Sequence, residues 1–209
     1  VRDNGDTILA ESALTLAERA REGGLATAAF VSSSVLDEGF GLDQGFALYS
    51  APERVGSSRG APPPERSARA TVAAARLWLA ARESGAPPFF LWVHLSDPHA
   101  PYAPPAEFAG RTATPYLDEV ASADHELGRL FDELRACGLF EELFVLVLGD
   151  HGEAFGEHGE SEHGLLCYEE TLRIPLLARW PDGARAGTRS QELVSAVDVA
   201  PTLAEALGL

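Results

Sequence analysis

The sequence predicts an α/β fold, a three-layer sandwich with a mostly parallel central sheet, and three observations carry that reading. Short, continuously apolar runs with β-branched and aromatic residues alternate with segments whose apolar residues recur at helical spacing. Glycine and proline punctuate the joins. The apolar runs also empty into loops that hold nearly all the histidines, on the edge where open α/β sheets bind ligands.

Taken in order, Leu9, Ala13, Leu16, Ala17 and Ala20 lie at helical spacing between Asp6 and Gly24. Asp6 or Thr7 is available as a cap and Gly23-Gly24 as a stop, which predicts a helix over that span. Leu25 to Val31 follows as a strand buried on both faces. Glycine, proline and serine dominate Ser50 to Glu65, read as a surface loop rather than a domain boundary. A second helix is expected from Ser67 to about Glu83, then a strand at Phe89 to Val93 that runs into Asp97-Pro98-His99-Ala100-Pro101-Tyr102. A third helix spans about Tyr116 to Ala136, and Leu143 to Leu148 forms a third strand, expected to be parallel like the others. On the third helix Leu117, Val120, Leu127, Phe131 and Leu134 form one stripe, with Asp124 in its gap. That carboxylate is either half-exposed at the stripe's edge or buried and hydrogen-bonded, because an unpaired buried carboxylate is costly. No internal repeat is present, and residues 1–209 read as a single domain.

Composition narrows the class. The chain has 45% hydrophobic and 23% charged residues, the range of a soluble globular domain with a core. No apolar run approaches the roughly 18 residues of a bilayer span, so no membrane-spanning segment is expected here. The 16 basic residues are all arginine, against 32 carboxylates, and the net charge of -16 argues against a nucleic-acid partner. Cys137 and Cys167 are too few for a disulfide framework and lack paired zinc spacing, leaving the compartment (periplasmic, secreted or cytoplasmic) undetermined. Methionine is absent and the first residue is Val1, so a preceding segment is expected.

Five of the six histidines fall in two windows, His94 with His99 and His151 with His158 and His163. The densest segment is Gly149-Asp150-His151-Gly152-Glu153, directly after a predicted strand. Asp150 offers a hard anionic oxygen and His151 an imidazole nitrogen, and the flanking glycines let the backbone turn so that both converge on one divalent ion. The alternative is that an acid and a histidine in a tight turn satisfy its own backbone.

An ordered series of motifs resembles the sulfatase family of the alkaline phosphatase superfamily. It comprises Val1-Arg2-Asp3-Asn4, Gly41 to Phe46, His94 to Tyr102, Asp124 to Gly128, Gly149 to Glu153, His163-Gly164, Tyr168 to Leu176 and Asp198 to Leu203. The resemblance implies an alkaline phosphatase-like fold, incomplete at the amino terminus, and metal-dependent hydrolysis of an anionic sulfate ester. It implies that Asp150 and His151 are metal ligands, for one ion of calcium or manganese, the nitrogen of His151 favouring a transition ion. His99 is implied to face the ester and stabilise or protonate the leaving oxygen. His163 is implied to take the sulfate contact that many members give to lysine, and Asn4 to bond a non-bridging oxygen. Arg173 is assigned to ordering the start of the following strand.

Family members cleave with a formylglycine made from cysteine or serine in a Cys/Ser-x-Pro/Ala-x-Arg sequence. Neither cysteine stands in one, and Ser50-Ala51-Pro52-Glu53-Arg54, which fits the letters, is read as coincidental. The nucleophile is therefore expected upstream of Val1, and this segment is expected to be inactive alone. Two rivals remain: a phosphodiester or phosphonate hydrolase or phosphoethanolamine transferase of the same superfamily, and a non-catalytic remnant or binding module.

Overall fold

A computed structural model describes residues 7–52 and 65–209. The chain divides into two compact units, Val1–Cys137 with Leu207–Leu209, and Gly138–Ala206.

In the first unit three strands, β1 (Ala26–Val31), β2 (Leu48–Ser50) and β3 (Phe89–His94), form a parallel sheet in the order β2-β1-β3. The expected parallel sheet is therefore present, with β1 at its centre. Residues 27–31 of β1 are buried, apolar but for Thr27, whose hydroxyl donates to the Gly45 carbonyl oxygen at 2.8 Å. β2 escaped the sequence reading because three residues, Leu48-Tyr49-Ser50, give no periodicity to read.

Helices cover the two faces. α2 (Ala68–Ala80), capped by Ser67, packs Trp78 against Phe30 and Phe89. On the other face α1 (Leu16–Glu22) lines a hollow with Phe90 and Trp92. The helix expected from Asp6 is shorter than its apolar spacing suggested. It begins at Leu16 because Thr15 and Glu18 form a reciprocal capping box: Glu18 N donates to Thr15 Oγ1 at 3.1 Å and Thr15 N to Glu18 Oε2 at 2.8 Å. Gly23 ends it as expected. Gly45 passes so close to α1 that a Cβ there would lie 2.2 Å from Glu18 N, which fixes glycine inside the Gly41–Phe46 block.

α3 (Pro115–Ala136) packs on α2, but not by the stripe read from the sequence. Its buried face repeats every fourth residue as Asp118, Ser122, Glu126, Leu130 and Leu134, with Glu119 beside it, while Leu117, Val120 and Asp124 are exposed. The reason is that the acids on this face are paired. Asp118 accepts from the amides of Gly110 and Thr112, both at 2.7 Å, and Glu126 bonds Arg69 at 3.2 Å and Arg129 at 2.9 Å. A carboxylate with donors on its oxygens can be buried where an unpaired one cannot, so polar pairing overrode the apolar period.

In the second unit β4 (Val145–Leu148) pairs with β5 (Leu176–Arg179), and the pairing is antiparallel. The strand β5 and this pairing were not read from the sequence, and the parallel character expected of the sheet is carried by β1, β2 and β3. The connection between β4 and β5, residues 149–175, holds a 3-10 turn at Glu157–Gly159 and the four-residue helix α4 (Glu169–Leu172). A last helix, α5, spans Val199–Leu207. Among the described residues no helix is long and apolar enough to cross a membrane.

Candidate active site

In the first unit, β3 ends at His94, whose carbonyl accepts from Ser32 Oγ at 2.9 Å. The loop beyond it is held from two helices. Asp97 Oδ2 accepts from the Ala68 amide of α2 at 2.9 Å. From α3, Glu119 accepts from the His99 amide at 3.1 Å and from the Ala103 amide at 2.5 Å. Burial pushes the Glu119 carboxyl above its usual range, the nearby charge of Asp97 adds to the rise, and the two amide bonds pull it part of the way back. The His99 ring is half-exposed, with Nδ1 3.7 Å from Glu65 Oε1. A polar imidazole tip on a tightly held backbone is thereby presented beyond the strand end.

In the second unit the turn after β4 is stitched to the segment that leads into β5. Gly149 N donates to Pro175 O at 3.2 Å and Gly152 N to Thr171 O at 2.8 Å. A Cβ on Gly152 would lie 2.0 Å from the Glu170 carbonyl oxygen, a backbone atom with nowhere to go. Gly152→Ala is therefore expected to destabilise this unit by about 3 kcal/mol, read as a lowered melting temperature against Gly128→Ala, whose Cβ position is open. The Tyr168–Leu176 motif thus forms the wall against which Asp150 and His151 are set. Arg173 lies exposed between α4 and β5.

Within this turn Asp150 and His151 satisfy the backbone with one atom each, leaving Asp150 Oδ2 and His151 Nε2 outside those bonds. Asp150 Oδ1 accepts from the His151 amide at 2.9 Å, satisfying the turn. His151 Nδ1 is 2.8 Å from the Gly152 carbonyl oxygen, an acceptor, so Nδ1 carries the proton and Nε2 the lone pair. That lone pair is 3.7 Å from Asp150 Oδ2. Two neighbouring ligands about 2.4 Å from one ion and at right angles stand about 3.4 Å apart, so the spacing is compatible with two corners of an octahedral cation shell. A ring nitrogen fixed on a carbonyl is also the usual support of a ligating histidine. Among the described residues no group of three or more His, Cys, Asp or Glu side chains gathers to complete such a shell.

The structure brings His163 to this pair. Its ring lies over that of His151, centroids 3.9 Å apart and planes at 31°. His163 Nδ1 is 2.9 Å from Oε1 of the nearly buried Glu153, so its Nδ1 proton goes to that carboxylate and the neutral ring carries its lone pair on Nε2. Glu160, also buried, accepts from the amides of Leu165 at 2.8 Å and Leu166 at 3.1 Å and so closes the loop that carries His163. His158, in the same window, is engaged elsewhere: its ring stacks on Tyr168 at 3.8 Å, with Nε2 3.8 Å from Glu170 Oε1. Asn4 lies outside the described residues. Glu119 and Glu160 had no signal in the sequence, since each is one acid among 32, while Glu153 stood in the Gly149–Glu153 motif without an assigned role.

The family model for Sulfatase matches residues 12–209. The chain belongs to the sulfatase family. It is 34% identical over 94 residues to an N-acetylglucosamine-6-O-sulfatase of Bacteroides thetaiotaomicron, a match covering 45% of this chain and 17% of that relative. In fold it is similar to a protein solved in complex with its substrate D-glucosamine-2-N,6-O-disulfate, with a TM-score of 0.77, 18% identity, and 100% of this chain and 63% of that one covered. It is similar also to the phosphonate monoester hydrolase of Agrobacterium radiobacter, with a TM-score of 0.75, 20% identity, and 97% and 60% covered. The chain thus spans only part of the length of each relative.

Neither cysteine stands in a formylglycine precursor motif. Cys137 caps the end of α3 and Cys167 precedes Tyr168, both exposed. Ser50 ends β2, where Arg66 bonds its Oγ and its carbonyl oxygen, each at 3.0 Å. Glu53 and Arg54 of that near-match lie outside the described residues.

Proposed function

We propose that the whole protein carrying this chain is a metal-dependent sulfuric ester hydrolase, and that the two units belong to one catalytic domain. Family membership across residues 12–209 supports both statements. The observation that carries the site assignment is the turn at Asp150-His151, where the Gly152 carbonyl fixes the His151 tautomer and leaves Nε2 facing Asp150 Oδ2. These two residues are the ligands this chain offers to one divalent ion, calcium or manganese, and the imidazole nitrogen favours manganese over an all-oxygen calcium shell. Such an ion supplies Lewis-acid polarisation of the ester oxygens.

The remaining roles belong to side chains. His163, its ring against His151 and its Nδ1 proton held by Glu153, bonds a non-bridging sulfate oxygen through Nε2, donating when protonated. His99 stabilises or protonates the leaving oxygen, and Asn4 bonds another non-bridging oxygen. The substrate is an anionic sulfate ester. Because the chain's net charge of -16 repels such a substrate, attraction must come from these few local groups. No step is assigned to a formylglycine.

The test is hydrolysis of an aryl sulfate and of an aryl phosphonate monoester by the whole purified protein, with and without chelator. Sulfate turnover that chelator abolishes and a divalent ion restores is the expected result, with the isolated 209-residue chain silent. Faster phosphonate turnover would move the protein to the neighbouring hydrolase class. Turnover by the isolated chain would return attention to Ser50.

A further inference from the structure

The loop that carries His99 is held at one end by its own Asp97, whose Oδ2 accepts from the Ala68 amide of α2. Its backbone is also clamped by a carboxylate from another element: Glu119, 3% exposed on α3, bridges the amides of His99 and Ala103 with one oxygen each. α3 is itself tied to α2 by Arg76 on Glu133 at 2.9 Å and Arg69 on Glu126 at 3.2 Å, so the clamp stands on a two-helix layer rather than on a loop. A carboxylate suits this bridge because both of its oxygens accept, whereas a glutamine turns an N–H₂ toward one of the two amides and can serve only the other.

We propose that Glu119 is a positioning residue for the reaction: its carboxylate sets the His99 backbone, and through it the imidazole, at the leaving oxygen. The inference rests on the role proposed for His99 above and adds the group that determines where that imidazole sits. A displacement of about 1 Å of a reacting group can cost about a hundredfold in rate, so the clamp acts on turnover without touching substrate.

The experiment compares Glu119→Gln and Glu119→Asp in the whole enzyme, each alone and combined with His99→Ala. Three readouts are taken: turnover of an aryl and an alkyl sulfate, bound metal, and amide hydrogen exchange across residues 97–103. Both single variants are expected to keep the metal, to speed exchange at His99 and Ala103, and to lose about a hundredfold in turnover. Aspartate keeps the charge but is one methylene too short to bridge both amides, so it should not rescue. On top of His99→Ala, neither variant should cost anything further, because residues that act as a unit are not additive. A general structural role would instead lower turnover by the same factor in both backgrounds, and that result overturns the proposal. So would unchanged exchange at the two amides, or full activity of Glu119→Asp, which would leave charge rather than the clamp as the cause. Absence of sulfate ester hydrolysis in the unmutated enzyme would overturn the functional reading itself, and with it a role for Glu119 in that reaction, while the exchange measurement would still report whether the clamp exists.

Discussion

Asp150→Ala is expected to remove bound metal and turnover together. Asp150 is the one charged ligand this chain offers to the proposed ion, and its side chain is 74% exposed with Oδ2 directed at His151 Nε2. Alanine deletes that oxygen and also the acceptor for the His151 amide, so the turn loosens at the same stroke. Loss of a residue that merely supports a ligand costs about 10–100-fold in metal affinity, and loss of a ligand itself should exceed that range. Any carboxylates left in the shell would face one another without the cation that reconciles them. Metal analysis of the purified variant is the check. A variant that keeps the normal metal content would remove Asp150 from the ligand set, whatever its activity.

The second large effect concerns the histidines, for which the opposite pattern is expected: His99→Ala and His163→Ala should keep the ion and lose rate. A donor aimed at developing charge is worth about 3 kcal/mol, roughly a hundredfold or more in turnover. The two variants should differ by substrate. If His99 gives a proton to the leaving oxygen, its loss should hurt most with a poorly leaving alkyl alcohol and least with an activated aryl sulfate. His163, set on Glu153 and lying against His151, should cost about the same for both, because the non-bridging oxygens are common to them. Turnover of both variants on both substrates decides the roles. Equal losses for His99→Ala would remove it as the general acid, and metal loss from either variant would return that histidine to the coordination shell.

A gradient of locality separates what the sequence could determine from what required the structure. The ordered motifs were enough to place the chain in its family and to name Asp150, His151, His99 and His163 as the residues to examine. They were also enough to find β1, β3, β4 and α2 within a few residues, because continuous apolar runs and helical spacing are read directly along the chain. The helix α1 was shorter than its spacing because the Thr15–Glu18 box is a stronger local signal than the apolar residues before it. The buried face of α3 was hidden because its carboxylates are buried only by virtue of partners far along the chain, such as Arg69 on Glu126. The same holds for the antiparallel pairing of β4 with β5, for the rings of His151 and His163 coming together, and for the Glu119 clamp on the His99 turn. The sequence by itself determined which residues could do the chemistry, since that depends on side-chain type and local order. Only the tertiary structure decided which carboxylate orients which imidazole, because hydrogen bonds between distant segments leave no period in the chain that makes them.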